Sequence, residues 1–138
     1  MITKSDNETR SLGQKLGRKF VKGAVVCLRG GLGAGKTTLI QGIAQGLGIK
    51  SRISSPTFTI VHRHKLKDNF LWHIDLYRLT GFDEAKAIGM DEILKDKNSV
   101  VLIEWPEKIN ELLPKNRWEI RLEVISENKR EISYEALH

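Results

Sequence analysis

Apolar positions at helical spacing open the chain. Leu12, Leu16 and Phe20 recur one turn apart behind Ser5-Asp6-Asn7-Glu8, a capping box with Ser at the cap and Glu three residues on. Residues 6 to 20 therefore read as an amphipathic helix. Ala24 to Leu28 is a short unbroken apolar run rich in valine, the pattern of a strand covered on both faces. Glycines 30, 31, 33 and 35 follow. Leu39, Ile40, Ile43, Ala44 and Leu47 then mark a helix over 37 to 47 that Gly48 closes. Residues 57 to 64 alternate as a strand does, Lys67-Asp68-Asn69 is a turn, and 70 to 75 is a second strand, hairpin-paired with the first. Residues 83 to 94 read as a helix broken near Gly89, and Ser99 to Glu104 as a buried strand. Pro106 fits the first turn of a helix running towards Leu113. Residues 118 to 124 and 131 to 136 form a C-terminal hairpin around Ser126 to Lys129. The sum is an α/β fold: a mixed central sheet flanked by helices in three layers, ending in a hairpin.

Composition narrows this little. With 138 residues, no repeat and no Pro/Gly-rich linker, residues 1–138 read as one domain. No apolar run approaches a membrane span, and MITKSDNETR has no apolar core of a secretory signal. Cys27 is the one cysteine and lies inside an apolar run, which suits packing in a reducing compartment and predicts a cytoplasmic protein. A net charge of +6 favours polyanionic company, nucleotide, RNA or an acidic protein face. Only HRHKLK at 62 to 67 is dense in basic residues, so the charge argues weakly for direct RNA contact.

The chemistry lies in Gly30-x4-Gly35-Lys36-Thr37, a complete P-loop pattern placed between a buried strand and a helix. Glycines let the backbone curl so that the amides of Gly31, Leu32, Gly33, Ala34 and Gly35 point at phosphate oxygens. The following helix adds its positive N-terminal end. Lys36 supplies a charge for the β- and γ-phosphates, the Thr37 hydroxyl suits Mg²⁺, and Thr38 can hold an α-phosphate oxygen. The implied cofactors are ATP and Mg²⁺ in a P-loop NTPase-like domain.

A hydrolysing P-loop needs a carboxylate at the end of a neighbouring strand. Glu104 ends VVLIE and is the candidate for the metal or the attacking water. Asp75 ends FLWHID and is a second metal-shell candidate, or else a helix cap or a partner of Arg78. Ser54-Ser55-Pro56-Thr57 occupies the place of a switch segment, where a hydroxyl such as that of Thr57 reaches Mg²⁺ or the γ-phosphate; a plain proline turn fits equally. Trp105 follows the acid and either feels nucleotide or packs in the core. His62, His64 and His73 read as packed or solvated rather than metal-bound. No N-K-x-D base reader is present, because Asn128-Lys129-Arg130-Glu131 ends in Glu within a turn, so guanine specificity has no support. A small-molecule kinase, a non-hydrolysing nucleotide-gated adaptor and a small ATPase driving a partner remain.

"GGLGAGKTTL", "SPTFTIV", "HIDLYRL" and "LIEWPEK…LLP" resemble, in order and spacing, the bacterial TsaE (YjeE) family over residues 5 to 125. The resemblance implies an ATPase needed to make N6-threonylcarbamoyladenosine in tRNA. It would act on the TsaD–TsaB complex and meet tRNA through that complex. It implies Mg²⁺ at Thr37 and Glu104, a switch at Ser55 and Thr57, and a site and partner role for the segment at Asp75. On that reading Lys36, Glu104, Asp75 and Thr57 carry catalysis. Gly31 stands where the family usually has Asp, which removes a hydrogen bond from the loop but none of its amides.

Overall fold

A computed structural model describes residues 1–31, 33–50 and 61–138. Leu32, the segment Ser54 to Thr57 and the first residues of the strand expected from 57 therefore lie outside the described residues.

The elements run in chain order as β1 (Ile2–Thr3), α1 (Asp6–Lys19), β2 (Val25–Arg29), α2 (Lys36–Gly46), β3 (Val61–Lys65) and β4 (Phe70–Asp75). There follow α3 (Phe82–Ala87), α4 (Met90–Leu94), β5 (Ser99–Glu104), a 3₁₀ segment (Pro106–Leu112), β6 (Arg117–Val124) and β7 (Arg130–Leu137). The seven strands form one mixed sheet in the order β1-β7-β6-β2-β5-β4-β3. Its centre, β6-β2-β5-β4, is parallel, while the outer pairs β1–β7, β6–β7 and β3–β4 are antiparallel. This is the α/β sheet the pattern predicts, in a P-loop NTPase-like arrangement.

Strand alternation sorts the core onto two faces. Val26 and Leu28 of β2 pack with Leu12 and Leu16 of α1 and with Leu39, Ile40 and Ile43 of α2. Val25 and Cys27 face the opposite way, onto Met90, Ile93 and Ile109. Burial pushes the Cys27 thiol up to about 12, with the Glu119 carboxylate adding to it, so the group is inert packing.

Local chemistry sets the ends of the elements. Ser5 Oγ caps α1 by accepting from the Glu8 amide at 3.1 Å. The Glu8 carboxylate reaches back to the amide of Lys4 at 3.2 Å, one residue beyond the cap amide of a standard capping box. Gly89 breaks the predicted 83–94 helix into α3 and α4 by adopting φ 83°. The helix expected after Pro106 is a kinked 3₁₀ segment, with Ile109 at non-helical angles. The short β1 has no signal in the pattern: two residues are too few to show a period, and the element exists only because the edge of β7 pairs with it.

α1 and α2 cross main chain to main chain. A methyl group placed on Gly13 would lie 2.5 Å from the Leu39 carbonyl oxygen. One on Gly17 would overlap the Ile43 carbonyl, one on Gly42 that of Arg10, and one on Gly46 that of Gln14. Two pairs of glycines spaced by four thus let the helices touch without side chains between them. Gly42→Ala is expected to destabilise the fold by about 1–3 kcal/mol or more, read from chemical denaturation, because the helices must separate.

Candidate functional site

The carboxyl ends of the parallel strands gather the site, as expected for an open α/β sheet. β2 ends at Arg29, and the chain turns through Gly30 to Gly35 into α2. Gly33 and Gly35 hold φ of 77° and 93°, values that favour glycine, and a side chain added at Gly31 or Gly33 would meet no described residue within 4 Å. Among the described residues, the space beside these two glycines is open. Ala34 is buried beneath it.

Lys36, the first residue of α2, is 7% exposed, and its Nζ has no hydrogen-bond partner among the described residues. Its ammonium sits 3.8 Å from the centroid of the Trp105 ring, a cation–π contact. Burial pulls the amine below its ordinary pKa, and the carboxylates of Glu104 and Asp75 partly restore it. A buried ammonium held by a ring face alone retains all three donors for a ligand.

Both predicted carboxylates arrive beside it. Asp75 and Glu104 are register partners across the parallel β4–β5 pair, so they stand one inter-strand spacing apart. Glu104 is 3% exposed and its Oε2 lies 2.8 Å from Nε2 of the fully buried His73. An ionised carboxylate only accepts, so that histidine nitrogen carries the proton and fixes the orientation of Glu104. The other ring nitrogen, Nδ1, has no partner among the described residues. Asp75 Oδ1 accepts from the Tyr77 amide at 3.0 Å, an Asx-type turn, and no ion pair to Arg78 occurs among the described residues. Burial pushes the Asp75 carboxyl up; the Tyr77 amide opposes this, and neighbouring Glu104 adds to it.

Trp105 packs beside the site. Its ring packs 5.0 Å from that of Tyr77 and also carries the Lys36 ammonium. Its backbone, at φ 59° and ψ 50°, is the one non-glycine with positive φ among the described residues, a strained turn directly after Glu104.

These groups surround a cavity of about 480 Å³ whose wall also includes Gly33, Gly35, Thr37 and Thr38. Asp6 and Arg130 complete it, and sequence reasoning missed both. Arg130 opens β7; because β6 runs parallel to β2, the β6–β7 turn falls at the same end of the sheet as the phosphate-loop pattern. A hairpin can be read from alternation, but its direction relative to a distant strand cannot. Thr57, the remaining catalytic candidate, lies outside the described residues.

The histidines stay apart from this chemistry except for His73. His62 and His64 stand with ring centroids 6.1 Å apart on the edge strand β3. No group of three or more His, Cys, Asp or Glu among the described residues is arranged to hold a metal ion. No helix among them is long and apolar enough to cross a membrane.

Residues 3–132 match the family model described as threonylcarbamoyl adenosine biosynthesis protein TsaE. The chain belongs to the TsaE family. The TsaE tRNA threonylcarbamoyladenosine biosynthesis protein of Bacillus subtilis is 40% identical over 136 residues, 98% of this chain and 84% of that protein. That of Treponema pallidum is 38% identical over 134 residues, 96% of each chain. Among solved structures, the crystal structure of Bacillus subtilis YdiB superposes with a TM-score of 0.83 at 34% identity, covering all of this chain and 84% of its own. This TsaE protein is thereby placed in tRNA threonylcarbamoyladenosine biosynthesis, and its glycine loop, buried lysine and paired carboxylates must be understood within that task.

Proposed function

We propose that this TsaE protein binds Mg-ATP in the cavity at the carboxyl ends of the sheet, hydrolyses it weakly alone, and uses the cycle to act on the TsaD–TsaB complex. The observation that carries the reading is Lys36: a buried ammonium, aimed into a cavity beside a glycine loop and hydrogen-bonded to no described residue. Burying a charge without a hydrogen-bonding partner costs stability, and a polyphosphate supplies the missing partner.

The residues present fit the nucleotide and its metal. Amides of the 31–35 loop and the start of α2 suit phosphate oxygens, with Lys36 as the mobile charge. Thr37, Glu104 and Asp75 offer one hydroxyl and two carboxylates, an all-oxygen set that suits Mg²⁺ with water completing its shell. When bound, the ion neutralises developing phosphate charge. The chain's own part is orientation. His73 holds Glu104, and the Tyr77 amide holds Asp75. Glu104 would then be placed to accept from an attacking water, and Trp105 and Tyr77 line the same cavity. Thr57 joins by family resemblance. The lone, inert Cys27 suits a cytoplasmic setting.

A chain of 138 residues has few to spare for a lid over the cavity, which suits a site completed by a partner. Steady-state ATP turnover is therefore expected to rise at least about tenfold when TsaD–TsaB is added, the range open to one added positioning interaction. Equal rates with and without the complex would reject the coupled cycle.

A further inference from the structure

Along the chain the lysines look scattered, but the fold gathers them. The parallel strands β4, β5, β2 and β6 are entered at the end of the sheet opposite the cavity. Each entry carries lysine: Lys67 before β4, Lys95 and Lys97 before β5, Lys22 before β2 and Lys115 before β6. Lys65 joins them, because its register sets it opposite Phe70, the first residue of β4. The entries also touch one another. The Phe70 amide donates to the Asn98 carbonyl at 3.4 Å, and the Gly23 amide to the Ser99 carbonyl at 2.8 Å. Lys22 and Asn116 line one pocket.

All six lysines are exposed, and none forms an ion pair among the described residues. The entry segments hold two carboxylates, Asp68 and Asp96. Asp96 is engaged by the Trp72 indole at 3.2 Å, the Ser99 hydroxyl at 2.6 Å and the Asn98 amide at 2.9 Å. Six lysines against two aspartates leave a surplus of four positive charges, out of a net +6 for the whole chain. Such crowding repels itself and attracts a polyanion.

Two observations favour RNA over an acidic protein. Val21, 71% exposed, is the one large apolar side chain exposed in these loops, too little for the apolar centre of a protein interface. Beside Lys65, the exposed Arg63 lays its guanidinium 4.5 Å from the centroid of the Phe70 ring and 5.6 Å from that of Trp72. A guanidinium plane backed by aromatic rings is a platform on which an unpaired base stacks. Lysines on flexible stems follow a phosphate backbone without demanding one geometry.

We propose that the amino end of the sheet is an RNA-binding surface through which this TsaE protein contacts the tRNA backbone directly. The tRNA is the RNA on which the family's biosynthetic task is performed. The surface lies one strand length, roughly 20 Å, from the cavity and does not depend on the nucleotide reading.

Fluorescence anisotropy with a labelled, unmodified tRNA transcript tests it. Wild-type binding is expected to weaken about a hundredfold between 50 and 200 mM salt, the loss that follows from about four phosphate contacts. Lys67→Gln/Lys97→Gln is expected to weaken binding about tenfold at the lower salt and to reduce the salt slope by about two. Lys4→Gln/Lys129→Gln, which removes the same charge from the cavity end, should bind as wild type does. Equal losses in the two double variants would trace to overall charge and overturn a localised surface. Lys36→Ala should also bind the transcript normally; loss there would place the RNA in the cavity and overturn the proposal. No binding by the wild type, alone or with TsaD–TsaB present, overturns it as well. A fall in complex-stimulated ATP turnover in Lys67→Gln/Lys97→Gln beside that result would give the surface to a protein instead.

Discussion

Lys36→Ala is expected to reduce Mg-ATP affinity by about a hundredfold or more, measured by calorimetry, and to abolish turnover. Truncating one member of a desolvated charge pair costs about 2–5 kcal/mol, roughly thirtyfold to several thousandfold, a range that brackets that factor. The same variant is not expected to unfold. It removes a buried ammonium that has no hydrogen bond among the described residues, and with it the contact with the Trp105 ring and the attraction to Glu104 and Asp75. The desolvation relieved opposes the cation–π and carboxylate attractions lost, at about the same scale. The melting temperature of the ligand-free protein should therefore hardly move, while the upward shift on adding Mg-ATP disappears. A variant that melts like wild type and still shows that shift would remove Lys36 from the site.

Glu104→Gln is expected to lower turnover by about 10²–10⁴-fold, the range for loss of a positioned base, while weakening Mg-ATP binding by no more than about tenfold. Gln preserves the volume and one acceptor oxygen for His73, so the core around the 2.8 Å contact survives. Glu104→Ala is the harsher change, because it strands the buried Nε2–H as well as the already unpartnered Nδ1 and should cost about 1–3 kcal/mol of stability. Turnover retained in Glu104→Gln would move the role to Asp75, its register partner on β4, and Asp75→Asn would then show the loss instead.

These two predictions rest on residues that could be read from the chain. The phosphate-loop pattern is local: eight consecutive residues carry its glycines, lysine and threonine, the strand before is an unbroken apolar run and the helix after is periodic. Glu104 and Asp75 end apolar runs, and a parallel sheet lines up the ends of such runs. What escaped the chain depends on contacts distant in sequence. His73 meets Glu104 across 31 residues, and an isolated histidine in an alternating strand gives no sign of its partner. Arg130 meets Ala34 across 96 residues, through a strand direction that hydrophobic alternation does not encode. The glycines of α1 and α2 weaken each helix by propensity and are explained only when both helices are seen together. The family resemblance assigned the task in tRNA modification, whereas spacing and composition reached only a phosphate cradle with an acid beside it.

The glycine crossing of α1 and α2 has a mechanical consequence. With backbone against backbone, no rotamer lies between the two helices to absorb a displacement. The linkage continues: α1 begins three residues after β1, β1 pairs with the start of β7, and β7 begins with the arginine that grips Ala34. The loop, both helices, the N-terminal strand and the hairpin thus form a closed ring that returns to its starting point. The amino terminus, whose Met1 ammonium donates to the Ile132 carbonyl at 2.9 Å, is thus one of the rivets of that ring.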